Sequence, residues 1–224
     1  MPFPIPDLPF IIAVLIALTV HEYSHGQVAY WLGDPTAKHE GRLTLNPVAH
    51  LDALGTLMFF LIRFGWGKPV PVNPRYFKHY RRDTALVALA GPVSNLLLAL
   101  GAFLILAFLV PKAMPADADI LMAVNSSSPS LKFIVEILST SVIVNLGLMA
   151  FNLLPIAPLD GSKVLAAFVP LKYEDLYDQY LQYGTYILLG LLVLERMFNV
   201  PILMGWIYGI INPILHLMSL IGGI

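Results

Sequence analysis

Apolar residues along this chain gather in long runs, and five of the runs approach the ~20 residues that carry a helix across a ~30 Å hydrocarbon core. They cover about residues 8–32, 84–110, 131–154, 181–198 and 202–221. Gly33-Asp34-Pro35 ends the first run as a helix breaker, while Gly91-Pro92 should kink or locally open the second and Pro213 the fifth. Residues 36–83 change character, with Pro47, Pro69, Pro71, Pro74 and several glycines. Within them, residues 54–62 are apolar but too short to cross, which predicts a re-entrant or interfacial piece. Lys68-Pro69-Val70-Pro71-Val72 alternates as an extended sheet edge does, since proline is tolerated where no ladder hydrogen bond is needed. The expected fold is an all-α polytopic membrane protein, a single domain over residues 1–224. It has five transmembrane helices and a short membrane-associated β or re-entrant segment between the first and second.

Composition agrees with a bilayer. Of the 224 residues 58% are hydrophobic and 12% charged, where a soluble chain carries about 25% charge, and mean hydropathy is +0.75. A net charge of -1 gives no global electrostatic reason to expect nucleic acid as a partner. The first run follows Pro2, Pro4, Pro6 and Asp7 and lacks the basic segment of a signal peptide, so a retained helix is expected. Lys38, Arg42, Arg63, Lys68, Arg75, Lys78, Arg81 and Arg82 crowd the 36–83 segment, against Lys112, Asp117 and Asp119 after the second run. The bias of Lys and Arg toward the cytoplasm then puts the N-terminus outside and the basic segment inside. Residues 155–180, with Lys163 and Lys172, and the C-terminus are also inside. Trp31, Trp66 and Trp206 fit interface anchors near span ends.

The first run contains His21-Glu22-Tyr23-Ser24-His25. Four positions apart on a helix, the two imidazoles share a face and can share one ion, with Glu22 beside them to take a proton from water and return it to a leaving amine. Ionisable groups inside an apolar helix cost on the order of a few kcal/mol to insert and are functional candidates by default, although a polar cluster can also serve as glue between helices. With no cysteine in the chain, the metal site must be built from His, Asp, Glu or water. A catalytic zinc usually takes three protein ligands. Candidates for the third are Asp160, Asp7, Asp34, Glu40, Asp52, His39, His50, His79 and His216. His21 lies about 20 Å along its span at ~1.5 Å per residue, toward the cytoplasmic end, and Asp160 follows a span that also ends inside. Depth therefore ranks Asp160 first, although Asp160-Gly161 is also a common turn pair. Glu136 and Glu195 fall near the outer span ends, away from this site.

His21-Glu22-Tyr23-Ser24-His25, Gly91-Pro92-Val93-Ser94-Asn95 and Asn152-Leu153-Leu154-Pro155-Ile156-Ala157-Pro158-Leu159-Asp160-Gly161 together resemble the motifs of the site-2 protease family, over nearly the whole chain. The 33–74 stretch is similar to compact prokaryotic members, and the loop after the second span, about 20 residues, is too short for a PDZ-like domain. The resemblance implies that Asp160 is the third ligand of one zinc ion and that substrates are transmembrane segments of other proteins, cut within or near the bilayer. It also implies that Asn152 holds the oxyanion or the substrate backbone. Asn95 and Asn145 read as hydrogen-bonding glue between helices, with a direct role as the alternative.

The function expected is intramembrane zinc endopeptidase, with Glu22 as general base, His21, His25 and Asp160 as ligands, and the active site toward the cytoplasmic side of the cell membrane. Residues 68–73 are expected to accept an unwound substrate as an added strand. Gly184, Gly190 and Pro201 would permit a moving gate. The rival class is a membrane metal carrier or scaffold using the same ligands. A proteolytically dead relative is disfavoured because no core motif residue is missing.

Overall fold

Asp7 opens the first helix, its carboxylate accepting the Phe10 N–H at 2.9 Å and so satisfying one of the donors that a helix start leaves free. The computed structural model describes residues 7–62, 65–109 and 129–222. Pro2, Pro4, Pro6, Arg63, Lys112, Asp117 and Asp119, and most of the loop after the second span, lie outside them. The helices are α1 (Leu8–Trp31), α2 (Thr36–His39), α3 (Ala53–Ile62) and α4 (Tyr80–Leu109). They are followed by α5 (Pro129–Asn152), α6 (Asp160–Ala166), α7 (Glu174–Phe198) and α8 (Ile202–Gly222).

Four of these helices, α1, α4, α5 and α8, are long and apolar enough to cross a membrane. The expected 181–198 span lies in α7, whose first half carries Glu174, Asp175, Asp178, Gln179 and Gln182 and lowers its hydropathy. The chain is a multi-pass membrane protein. Helix α4 runs unbroken through Pro92, so the expected opening at Gly91-Pro92 does not interrupt it. One missing N–H removes one rung of the ladder, and Pro92 is buried where α4 meets its neighbours.

Helices α1, α4 and α5 pack against one another in the centre, with α8 against α5 and α7 against α8. Alanines line much of the contact, among them Ala13, Ala17, Ala29, Ala88, Ala99 and Ala150, all fully or almost fully buried. Between helices in lipid, where apolar burial gives no preference for protein over hydrocarbon, small residues let backbones approach and gain dispersion contact. A second layer of Leu146, Met149, Ile211 and Met218 joins α5 to α8. Trp206, expected as an interface anchor, also donates its indole N–H to Ala150 O of α5 at 2.9 Å.

Residues 65–73 differ from the expected sheet edge. Among the described residues there is no strand, only a single antiparallel bridge between Leu51 and Gly67. Pro69 and Pro71 offer no donors, and nothing pairs with the segment along its length. It is instead pinned point by point: Lys68 N–H to His50 O at 2.9 Å, and Lys68 O to the Arg42 guanidinium at 2.8 Å. Asn73 N–H is bound to the buried Asp34 carboxylate at 2.7 Å. Residues 54–62 are helical within α3.

Candidate metal centre

The helical spacing of α1 sets His21 and His25 one turn apart with their Nε2 atoms 3.0 Å from each other. Asp160 is the first residue of α6, and its Oδ2 lies 3.2 Å from His21 Nε2 and 3.1 Å from His25 Nε2. No other three His, Cys, Asp or Glu side chains converge in this way among the described residues. All three are buried.

Two glycines make this approach possible. A Cβ at Gly91 of α4 would stand 2.5 Å from His25 Nε2 and 2.6 Å from His21 Nε2, so only glycine lets α4 pass over both rings. A Cβ at Gly161 would overlap the Leu153 and Leu154 carbonyls, so the chain can fold back from α5 to deliver Asp160 only with no side chain there. The returning loop is tethered by α7. Tyr180 donates to Pro155 O and Tyr177 to Ser162 O, each at 2.5 Å.

The imidazoles are oriented from behind. His25 Nδ1 donates to Val87 O at 2.7 Å, and His21 Nδ1 to Asn95 Oδ1 at 2.6 Å, leaving each Nε2 to face the site. The structure therefore brings two imidazole lone pairs and an anion together. Their separations of 3.0, 3.1 and 3.2 Å compare with the ~3.3 Å between ligands held ~2.0 Å from a tetrahedral zinc. Unprotonated donors this close repel unless a cation lies among them, and the residues present fit zinc.

Glu22 lines the same cavity of about 340 Å³ as the three ligand candidates, with Val70, Val72, Thr84, Asn152 and Lys163. Its Oε2 accepts the Val70 N–H at 2.8 Å. Asn152 ends α5 at the cavity wall, with its Nδ2 donating to Leu148 O at 3.0 Å. Lys163 stands 3.6 Å from the other oxygen of Asp160.

The remaining ligand candidates lie elsewhere. Asp7 caps α1, and Asp52 accepts from Gly55 N–H at 2.7 Å. Asp34 holds Thr36 and Asn73, and His50 is bound to Thr44 O at 2.8 Å. His39, Glu40, His79 and His216 stay outside the converging group. Glu195 caps α8 through Leu203 N–H at 3.0 Å, and Glu136 is likewise outside the group. Gly91 and Asn95 stood out in the sequence as part of a family-like motif, but Val87 did not, nor did the stripe of α4 on which all three face the imidazoles. Its signal was available, because these residues are spaced four apart like the two histidines they meet.

Residues 9–194 match the family model of peptidase family M50. A Bacillus subtilis protein, "Putative zinc metalloprotease YwhC", is 39% identical over 192 residues, 85% of this chain and 83% of that protein. "Putative zinc metalloprotease Rip2" of Mycobacterium tuberculosis is 32% identical over 203 residues, 88% of this chain and 69% of its own length. No solved structure matches.

Proposed function

The chain belongs to peptidase family M50, and on that premise we propose that it is an intramembrane zinc endopeptidase that cuts transmembrane segments of other proteins. The observation that carries the proposal is the convergence of His21, His25 and Asp160 beside Glu22 in one cavity among membrane-spanning helices. His21, His25 and Asp160 would hold the metal. Zinc bound there supplies Lewis acidity, both to the scissile carbonyl and to a water whose pKa it brings toward ~7.

Glu22 accepts the proton of the attacking water and returns it to the leaving nitrogen. Its hydrogen bond from Val70 aims the carboxylate across the cavity. Asn152, at the wall, is the side chain we assign to the developing oxyanion or the substrate backbone, and its amide would have to turn from Leu148 O to donate. Residues 68–73 bring Val70 and Val72 to the cavity without a neighbouring strand, so an unwound substrate can lie along them and regain main-chain hydrogen bonds lost from its own helix.

We assign α7 as a fifth span. It is 25 residues long and joined by three residues to α8, with Leu188 of α7 and Leu203 of α8 in one buried cluster, so it runs back through the same thickness of bilayer. The short α3 is then a re-entrant piece on the side of the basic 36–83 segment. That segment is cytoplasmic in this reading, and the active site opens toward it from the cell membrane. One metalloprotease domain occupies residues 1–224, its partners are substrate spans and lipid, and nucleic acid is not among them.

The test is zinc content of the purified protein together with cleavage of single-span substrates, comparing wild type with Glu22→Gln. About one zinc in both forms with cleavage only by wild type supports the protease. Absence of cleavage by both, with metal affinity or transport altered by Glu22→Gln, supports a metal carrier instead.

A further inference from the structure

We propose that Asn145, a residue of α5 outside the cavity, is a positioning residue that fixes which nitrogen of His21 carries the ring proton. The proposal rests on the reading of His21 as a metal ligand.

The direction of the hydrogen bonds carries the argument. Asn145 Nδ2 donates to Ser141 O at 2.8 Å. A carbonyl only accepts, so Asn145 must turn its NH2 to Ser141 and its Oδ1 to Asn95. Asn95 Nδ2 donates to that oxygen at 2.8 Å and to Ala17 O at 3.1 Å. Both N–H bonds of Asn95 are then committed, and its Oδ1 accepts from His21 Nδ1 at 2.6 Å. His21 must therefore hold its proton on Nδ1, and the Nε2 that faces His25 and Asp160 keeps its lone pair for a metal. Two backbone carbonyls, one on α1 and one on α5, polarise the whole relay.

Burial gives the relay its force. Asn95 is 0% and Asn145 1% exposed, so an amide that turned over would set oxygen against oxygen at Ser141 with no water to compensate. Simple glue between helices would hold equally well with its amides in either direction. Here only one direction presents a lone pair to the site. Unlike Asn95, Asn145 touches no ligand candidate in the hydrogen bonds it makes, so its effect on the metal runs through Asn95.

The experiment uses full-length protein labelled with ¹⁵N at histidine. It reads the His21 tautomer by NMR in the zinc-free form and zinc affinity by chelator competition. Asn145→Leu removes the nearer of the two acceptors that hold Asn95 and strands one of its buried N–H bonds, and the expected result is loss of the Nδ1–H pattern of His21 with zinc binding weakened about 10-fold or more. His25, held by Val87 O, keeps its pattern. Asn145→Asp, whose carboxyl burial holds in the neutral acid form, can donate its O–H to Ser141 O and still accept from Asn95, and should keep the wild-type tautomer and affinity. An unchanged His21 tautomer and zinc affinity in Asn145→Leu overturns the proposal. If that variant does not fold, Asn145→Ala, which removes the same acceptor without added bulk, decides by the same readouts: loss of the Nδ1–H pattern of His21 supports the relay and an unchanged pattern and affinity overturn it, as does loss of either property in Asn145→Asp. His21→Ala separates the two readings, because zinc binding that survives it refutes the ligand assignment itself and not merely the relay.

Discussion

The Val70 N–H donates to Glu22 Oε2 at 2.8 Å, tying the proposed general base to the segment proposed to receive substrate. Pro69 and Pro71 flank Val70, so it is the one residue of the three with an N–H to give. Val70→Pro should leave Glu22 unaimed while sparing the ligands. A hydrogen bond to a charged group is worth ~1.5–3 kcal/mol, which predicts a fall in kcat of about 10- to 100-fold with zinc content unchanged. Val72→Pro leaves the Glu22 contact intact and should raise KM instead, by removing a donor from the edge offered to substrate. Steady-state cleavage with metal analysis separates the two variants. Equal effects on kcat and KM in both would count against divided roles for these neighbours.

Gly91→Ala tests the glycine against the imidazoles. Alanine favours a helix interior by ~0.5–1 kcal/mol over glycine, so α4 should form at least as well. Its methyl, however, would stand within 2.6 Å of both rings and displace them. The expected outcome is a folded protein with wild-type circular dichroism that retains little or no zinc and does not cleave. Full zinc occupancy in this variant would mean that the helices separate more readily than their packing implies.

How much of this was legible beforehand follows from the range of each interaction. His21, Glu22 and His25 lie within one helical turn, and helix geometry alone puts the two imidazoles on one face. Asp160 lies far along the chain. Depth ranked it first and resemblance named it, but its approach depends on the backbone contact at Gly161 that no local pattern encodes. Asn95 read as glue, and it does join helices, yet the rotation of α4 about its axis decides that its carbonyl oxygen meets His21. Residues 68–72 carry the alternation of a strand without a partner to pair with, so an expected sheet edge became a segment pinned by Arg42, His50, Glu22 and Asp34. For α7, acidic and amide residues near its start hold it below the hydropathy of a span, and its hairpin with α8 is a tertiary fact.

Metal removal should separate the ligands from the base. A strong chelator should abolish cleavage by wild type, and added zinc should restore it. Asp160→Asn keeps the shape of the side chain but loses the anion set against two imidazoles, so zinc should fail to restore cleavage except at large excess. Glu22→Gln should bind zinc like wild type and stay inactive at every zinc concentration. Restoration of Asp160→Asn at stoichiometric zinc would remove Asp160 from the ligand set.

Asp34 shows what a buried carboxylate does when it is not at the metal. It is 0% exposed, accepts from Thr36 N–H and Thr36 Oγ1 at 3.0 and 2.5 Å, and holds Asn73 N–H at 2.7 Å. It thus ties the turn after α1 to the far end of the segment that passes Glu22. Asp34→Ala strands these donors, each at a cost of ~1–3 kcal/mol when buried, so the thermal midpoint should fall by several degrees. The ligands are on other segments, and the protein that remains folded should hold its zinc. What should suffer is the alignment of residues 69–73, read as weaker cleavage with raised KM at a temperature where the variant is still folded. A variant that loses stability but keeps wild-type KM would show that Lys68 and Val70 fix the segment without its Asp34 anchor.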